Sequence, residues 1–365
     1  MPTTEPTIAT ARAEPLHHVW SYTQADREFW DRHLEGWVPK QIIDAHVHVF
    51  PPEYRLLPMS EQMKRQYWVN EVIEPITAEQ TARCNDLVFP GRDVTNVAFG
   101  FPSLEYDIEA TNSYLQQACP PRGWKCLAVL RPEWSARQVE EVLSSPGVVG
   151  LKPYYSLISF NPDTRDEHLE ASIFDFLPHH ALEVADRLGS WVTLHVPKAD
   201  RLGHPDNIRE IKLIRERYPR VRLVIAHLGR SYTLPHAQES LPHFKDDPGL
   251  YFDCSAVLNP DVMRFALETI GPYRFLYGTD NPMFYMRGRR RWQGRTYINH
   301  TDYPFHFNRH RESPAIEAGY TLYMYESLYA LRRVCDDLAL STVDIRALFY
   351  GNAQKLLSGL GDDTK

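Results

Sequence analysis

The segment Ile42-Ile43-Asp44-Ala45-His46-Val47-His48-Val49 decides the fold of this chain. Its apolar residues are typical of a short buried β-strand, in which side chains two positions apart project to the same side. His46 and His48 therefore point the same way, and two imidazoles on one side of a strand can share a metal ion. The alternative is that neighbouring polar groups satisfy both histidines without a metal.

Composition narrows the class of protein. The chain has 365 residues, of which 43% are hydrophobic and 24% charged, enough for one large α/β barrel or two ordinary domains. A net charge of −7 gives no general attraction to nucleic acid or to an anionic membrane, and no apolar run approaches the roughly 18 residues that span a bilayer. Five cysteines without CxxC spacing indicate reduced, mostly buried thiols in a cytoplasmic protein.

Short β-rich runs recur along the chain and alternate with segments of helical character. Eight such runs predict a parallel (β/α)8 barrel, the TIM barrel, rather than an open doubly wound sheet. No GxGxxG or GxxxxGK(S/T) motif follows the first run, which argues against nucleotide binding. The eight runs are 41–50, 94–102, 125–132, 148–156, 191–197, 222–229, 250–256 and 275–282.

The regions outside these runs divide the chain further. Residues 1–40 are expected to form a loose tail up to Pro15 and then a helix from Thr23 to about Trp37, and 41–365 to form the barrel. Two insertions are longer than usual barrel connections, 51–93 after the first strand and 285–316 after the eighth. The first is expected to roof the pocket, or else to contact another subunit. The second is rich in arginine and aromatic residues and is expected to be a lid or an oligomer contact.

Chemistry in such a barrel sits at the carboxyl ends of the strands. Histidines that merely fill a core have no reason to prefer one end of several strands, so their clustering there predicts a metal site. The residues near those ends are His46 and His48 in the first strand, Lys152 in the fourth, His195 in the fifth, His227 in the sixth and Asp280 in the eighth.

Four motifs carry a resemblance to a known family. Asp44-Ala45-His46-Val47-His48, Thr193-Leu194-His195, Ala226-His227-Leu228-Gly229 and Gly278-Thr279-Asp280-Asn281-Pro282 resemble the amidohydrolase superfamily over roughly residues 41 to 357. The most similar branch is the aminocarboxymuconate-semialdehyde decarboxylase-like one. The resemblance implies one divalent metal ion, zinc or else manganese, held by His46, His48, His195 and Asp280. It also implies that His227 moves a proton on water, a task that Asp280 could share.

Lys152 separates two alternatives. In binuclear members of the superfamily a lysine on the fourth strand is carboxylated and bridges two metals, which Lys152 could do here. We favour the other alternative, in which one metal is bound and Lys152 stays an ammonium that pairs with Asp280 or with a substrate carboxylate. Tyr154 and Tyr155 are expected to line the substrate pocket, and Arg230 to clamp a substrate carboxylate.

The predicted function is metal-dependent hydrolysis of a small, carboxylated or aromatic cyclic amide, ester or lactone through metal-activated water. The alternative is non-oxidative decarboxylation of an aromatic or muconate-like acid. The expected partner is a small-molecule substrate, with no nucleic acid and no membrane, and the resemblance makes a homodimer an open possibility.

Overall fold

The structure is a computed structural model that describes residues 13–159, 168–303, 306 and 310–358. The predicted TIM barrel is confirmed, because β3 to β10 form one eight-stranded parallel sheet. In chain order the strands are β1 (Glu14–His17), β2 (Trp20–Tyr22), β3 (Gln41–His48), β4 (Asp93–Phe99), β5 (Lys125–Val129), β6 (Val148–Lys152), β7 (Trp191–Leu194), β8 (Arg222–Ile225), β9 (Tyr251–Asp253), β10 (Phe275–Leu276), β11 (Gly288–Gln293) and β12 (Thr296–Thr301).

The sheet closes where the first barrel strand meets the segment that follows the last. The backbone N–H of Asp280 donates to the carbonyl of His46 at 2.9 Å, and the N–H of His48 donates to the carbonyl of Asn281 at 2.9 Å. Closure satisfies backbone groups that an open sheet edge would leave unpaired. It also brings the two histidines of β3 next to Asp280.

Helices cover the outside of the barrel. The barrel helices present apolar stripes to the strands, as in Pro260–Ile270, where Val262, Met263, Ala266 and Leu267 are buried. The helices of eight or more residues are Gln24–His33, Ala78–Val88, Ile108–Ala118, Ala136–Leu143, His179–Leu188, Pro205–Arg217, Pro260–Ile270 and Tyr323–Asp337. Shorter ones are Glu61–Gln66, Trp68–Val72, Ile173–Phe176, Leu234–Ser240, Pro314–Glu317, Thr342–Arg346 and Asn352–Leu357.

The predicted runs extend beyond the observed strands at their carboxyl ends. The run at 222–229, for example, is a strand only over Arg222–Ile225. The residues beyond leave the sheet because they turn into the loops that carry the polar side chains. Apolar composition continues through these buried turns, so composition alone does not show where the strand ends.

The last two residues of the expected tail, Glu14 and Pro15, lie in a short strand. Glu14 already pairs with Tyr22 in an antiparallel hairpin, β1–β2, which was not predicted because its strands are too short to show a pattern. The predicted helix is present over Gln24–His33, and the backbone N–H of Thr23 donates to Asp26 Oδ2 at 2.7 Å in a capping box. Residues 1–12 lie outside the described part of the chain.

The two insertions pack against each other. The first contains Glu61–Gln66 and Trp68–Val72, and the second contains the unpredicted hairpin β11–β12. Trp68 Nε1 donates to the hydroxyl of Tyr297 in that hairpin at 3.3 Å. Residues 304, 305 and 307–309 of the second insertion are outside the described residues.

All five cysteines are buried and form no disulfide, which agrees with the predicted free thiols. Within the described ranges, no helix has both the length and the apolar character that crossing a bilayer demands.

Candidate metal centre

Three predicted ligands meet at the closure of the barrel. The Nε2 atoms of His46 and His48 lie 3.4 Å and 3.3 Å from Asp280 Oδ1. All three side chains are buried, and their ligand atoms lie within 4.8 Å of one another. Two imidazole nitrogens and a carboxylate oxygen therefore converge on one point at the end of the barrel.

Both histidines are oriented by acceptors on their far side. His46 Nδ1 lies 3.0 Å from Asp253 Oδ2, and His48 Nδ1 lies 3.1 Å from the carbonyl of Gly100. Because each acceptor takes a proton from Nδ1, the lone pair of the neutral ring stays on Nε2. Metal-binding histidines in proteins are held in this way.

The spacing of these atoms fits a metal ion. Around a tetrahedral ion with bonds of about 2.0–2.1 Å, neighbouring ligand atoms are about 3.3–3.4 Å apart. The two distances from Asp280 match that separation. Imidazole and carboxylate together suit zinc and also manganese, so the residues present fit a divalent metal.

The protonation states agree with this donor set. Burial lowers the pKa of His46 well below its usual range, and the charge of Lys152 adds to the effect. Burial alone raises the pKa of Asp280, but the neighbouring histidines, His227 foremost, outweigh it and leave that pKa below the ordinary value. The site thus presents a neutral imidazole beside an ionised carboxylate.

His195 lies beside the three converging residues rather than among them. It lines the same cavity, with its ring centroid 5.2 Å from that of His227 and 4.6 Å from that of Tyr154. Within the part of the chain that the structure describes, no group of three or more histidine, cysteine, aspartate or glutamate residues with ligand atoms within 4.8 Å of one another includes His195. Its Nδ1 is buried without a hydrogen-bond partner there, and a buried nitrogen of this kind is available to an ion or a substrate.

His227 faces the cavity from the end of β8. Its Nδ1 lies 3.0 Å from the backbone oxygen and 2.8 Å from the hydroxyl of Ser255, and its backbone N–H donates to Asp253 Oδ1 at 2.9 Å. Asp253 thereby connects His227 with His46, whose ring centroids are 4.6 Å apart. His227, His46 and Asp253 could also be considered a metal group, but direct hydrogen bonds already use the Asp253 oxygens.

A left-handed turn places both His227 and Arg230 at the cavity. The φ angles of His227, Leu228, Gly229 and Arg230 are 54°, 48°, 70° and 63°. A Cβ on Gly229 would lie 2.4 Å from the Leu202 side chain. Left-handed backbone costs roughly 1–2 kcal/mol for each non-glycine residue, and such strain concentrates at functional sites.

Lys152 is a fully buried lysine at the site. Its side chain ends β6 with 1% of its surface exposed, and its Nζ lies 4.7 Å from the centroid of the Phe99 ring. That nitrogen makes no hydrogen bond to any described residue. Burial lowers the pKa of Lys152 to about 8, against the opposing charges of Asp253 and Asp280.

The converging residues open into a cavity of about 230 Å³. Tyr154, Tyr155 and Arg230 line it as expected, together with Lys152. The first insertion contributes Met63, Tyr67 and Val69 to its wall, which supports the predicted roof. In contrast, the hairpin β11–β12 supplies none of the described lining residues, so it does not close the cavity directly.

Sequence reasoning missed two carboxylates that support the site, Asp253 and Asp44. Asp253 holds His46 and His227, and Asp44 accepts hydrogen bonds from the Thr279 N–H at 2.9 Å and its hydroxyl at 2.6 Å. Both carboxylates lie in runs of apolar residues that fold into buried strands. A charged residue in such a run is the signal that could have identified them, because burying an unpaired carboxylate is costly.

Comparison with known proteins supports the fold and the family. The family model described as "Amidohydrolase" matches residues 43–359. An amidohydrolase from Burkholderia multivorans with bound zinc has a TM-score of 0.55 at 11% identity, over 87% of this chain and 99% of that one. A 2,6-dihydroxybenzoate decarboxylase complexed with 2,6-dihydroxybenzoate has a TM-score of 0.52 at 14% identity, over 88% and 100%.

A third structure is a dihydroxybenzoic acid decarboxylase from Polaromonas sp. JS666 with bound manganese and 2-nitroresorcinol. Its TM-score is 0.50 at 16% identity, over 88% of this chain and 97% of that one. At these identities the structural likeness concerns the fold. Comparison with curated protein sequences gives no significant match. The family model covers most of the chain, and on that ground the protein belongs to the amidohydrolase family.

Proposed function

We propose that this protein is a metal-dependent hydrolase that acts on a small, carboxylated or aromatic cyclic amide, ester or lactone. The observation that carries the proposal is the convergence of His46 Nε2, His48 Nε2 and Asp280 Oδ1 at distances that suit one ion, at the inner end of a cavity. His195 is proposed as a further ligand, because its unpaired Nδ1 and its position on the cavity wall leave the ring available.

His46, His48 and Asp280 would hold the ion, zinc or else manganese, which would act as a Lewis acid on a carbonyl oxygen and on water near neutral pH. His227 is the proposed proton carrier. Its Nδ1 is held by Ser255, which leaves Nε2 for the reacting atoms, and burial lowers the pKa of His227 so that the neutral ring can accept a proton. Asp280 can share this task, since its carboxylate is ionised and faces the cavity.

We propose one ion rather than two. The ligand atoms of His46, His48 and Asp280 form one compact set, and Lys152 Nζ lies against the Phe99 ring. Lys152 is then an ammonium that balances negative charge near Asp280. Elemental analysis of the purified protein tests this: one equivalent of metal, unchanged in Lys152→Met, is expected. Two equivalents that fall to one in the variant would establish the bridging role instead.

Decarboxylation of an aromatic or muconate-like acid is the second candidate. It is favoured by the aromatic wall, since Tyr154 and Tyr155 stack with centroids 4.7 Å apart and Phe101 lines the same cavity. Two structures of the same fold are also decarboxylases of dihydroxybenzoic acids. In this reaction the metal would bind the acid group that leaves, and the proton would be delivered to the ring carbon.

One assay separates the candidates. Protein freed of metal by a chelator and reloaded with zinc or manganese is incubated with aryl lactones, cyclic amides and dihydroxybenzoic acids. Metal-dependent ring opening without carbon dioxide supports hydrolysis. Carbon dioxide released from an acid supports decarboxylation and refutes the leading proposal, as would the absence of turnover on the whole panel.

A further inference from the structure

Arg230 is an arginine in the cavity without an acidic partner. Its Nη1 donates to the carbonyl oxygens of Lys198 at 2.8 Å and Val196 at 3.3 Å, which fixes the plane of the guanidinium. Its Nε and Nη2 make no hydrogen bond to a described residue, and no described carboxylate lies within 4.0 Å of it. A guanidinium held by one nitrogen presents its remaining donors as a fork that matches a carboxylate.

Arg230 is partly exposed, and the three arginines that are buried among the described residues are used differently. Arg287 pairs with the buried Asp26. Arg290 donates to Ala256 O and Asn299 Oδ1 at 3.0 Å each and lies 4.2 Å from the centroid of the Tyr297 ring. Arg274 donates to several backbone carbonyls. These three hold parts of the chain together. Arg230 instead lines the cavity, and its Nε and Nη2 donate to no described residue.

Tyrosines surround Arg230 in place of acids. Tyr67, Tyr154 and Tyr155 line the same cavity as Arg230. Burial and the neighbouring phenol of Tyr155 raise the pKa of Tyr154 well above its usual value, so its hydroxyl keeps its proton. The wall around Arg230 thus offers a cation and phenolic O–H donors with no competing anion.

We propose that Arg230, with the hydroxyls of Tyr67, Tyr154 and Tyr155, binds a substrate carboxylate that does not take part in the reaction. The inference rests on the proposed function, because it assigns the reacting group to the metal end of the cavity, at His46, His48 and Asp280. The substrate is then a ring acid whose carboxylate is separate from the reacting ester, amide or lactone. If the reaction is decarboxylation, the substrate carries two acid groups.

Binding of simple aromatic acids tests this without any turnover. The dissociation constants of benzoate and of the 1,2-, 1,3- and 1,4-benzenedicarboxylates are measured by calorimetry on zinc-loaded protein. We expect at least one dicarboxylate to bind about tenfold tighter than benzoate, since a second acid gains a charge-assisted pair. We expect Arg230→Gln to abolish that preference, Arg230→Lys to restore part of it, and Tyr67→Phe to reduce it a few-fold.

Controls separate this result from loss of fold or of metal. Zinc content and melting temperature are measured for every variant, and Arg295→Gln, which removes an exposed arginine paired with Glu239, should keep the preference. Equal binding of benzoate and all dicarboxylates, or a preference that survives in Arg230→Gln, would overturn the inference. A preserved preference in a protein inactive on the hydrolase panel would refute the proposed reaction and leave the acid site standing.

Discussion

His46 Nδ1 and Asp253 Oδ2 lie 3.0 Å apart, and both side chains are almost fully buried. The same carboxylate accepts the backbone N–H of His227 and the hydroxyl of Ser255. One residue at the end of β9 therefore sets the ring orientation of a candidate metal ligand and the position of the proposed proton carrier.

Asp253→Asn should weaken metal binding without removing any ligand. An amide oxygen is a poorer acceptor than a carboxylate, so the His46 ring loses basicity and orientation, and the zinc dissociation constant should rise about 10- to 100-fold. Competition with a chromophoric chelator measures this constant. Asp246→Asn, which changes an exposed aspartate, serves as the control. An unchanged constant in Asp253→Asn would show that this hydrogen bond does not support the site.

Asp280→Ala should lose both metal and activity, because His46 and His48 would then lack the anionic donor beside them. Asp280 has φ 64°, a conformation that asparagine tolerates better than alanine, so Asp280→Asn separates loss of the ligand from backbone strain. Elemental analysis after gel filtration should find both variants depleted. Full occupancy in Asp280→Asn would contradict the ligand assignment.

His227→Asn should abolish turnover while leaving the metal content nearly intact. The substitution removes the group proposed to move the proton, which is worth about 10²–10⁴ in rate, but leaves His46, His48 and Asp280 in place. The measurement is kcat on the best substrate of the panel together with metal content of the same sample. Metal lost from this variant would make His227 a ligand instead.

Glu326 should make the protein less stable as the pH rises. Burial raises the pKa of Glu326 from its ordinary 4.5 to about 7, with Arg289 opposing. Between these values the unfolded chain releases the proton and the folded chain keeps it, so this group's contribution to the free energy of unfolding falls from pH 4.5 to 7. The full penalty, about 3 kcal/mol, applies above pH 7.

Glu326→Gln is accordingly expected to raise the free energy of unfolding at pH 8 by about 1–2 kcal/mol and to change it little at pH 4.5. Urea denaturation at the two pH values measures the difference. Glu216→Gln, at an exposed helix position, is the matched control and should show neither effect. A Glu326→Gln variant that is less stable at pH 8 would show that the charged form is well accommodated.

The barrel and the convergence of three candidate metal ligands could be predicted because both follow from periodicity. Alternate residues of β3 share a face, and parallel strands end on one side, so His46, His48 and Asp280 had to approach one another. The ligand role of His195 stays a prediction, since its exact distance depends on where β7 turns. Periodicity shows which side of the sheet a residue faces, but it does not give the distance between that residue and its neighbours.

Other features of the structure do not follow from any periodic pattern in the sequence. The role of Asp253 depends on contacts made across the barrel, and a single aspartate in an apolar run does not reveal its partner. The left-handed φ angles at His227 and Arg230 arise from the turn after β8, where the sequence shows only Gly229. The hairpins β1–β2 and β11–β12 are held by tertiary packing, and their short strands carry little alternation of their own.

The closure between β3 and the segment after β10 has a consequence for how the enzyme matures. A chain still on the ribosome, with Asp280 unmade, carries both histidines but lacks the carboxylate and the backbone seam beside it. Asp44 and Thr279, which are joined by hydrogen bonds across that seam, are 235 positions apart in the chain. The candidate ligand set is therefore complete only after residue 280 has been synthesised and the first and last strands of the barrel have paired.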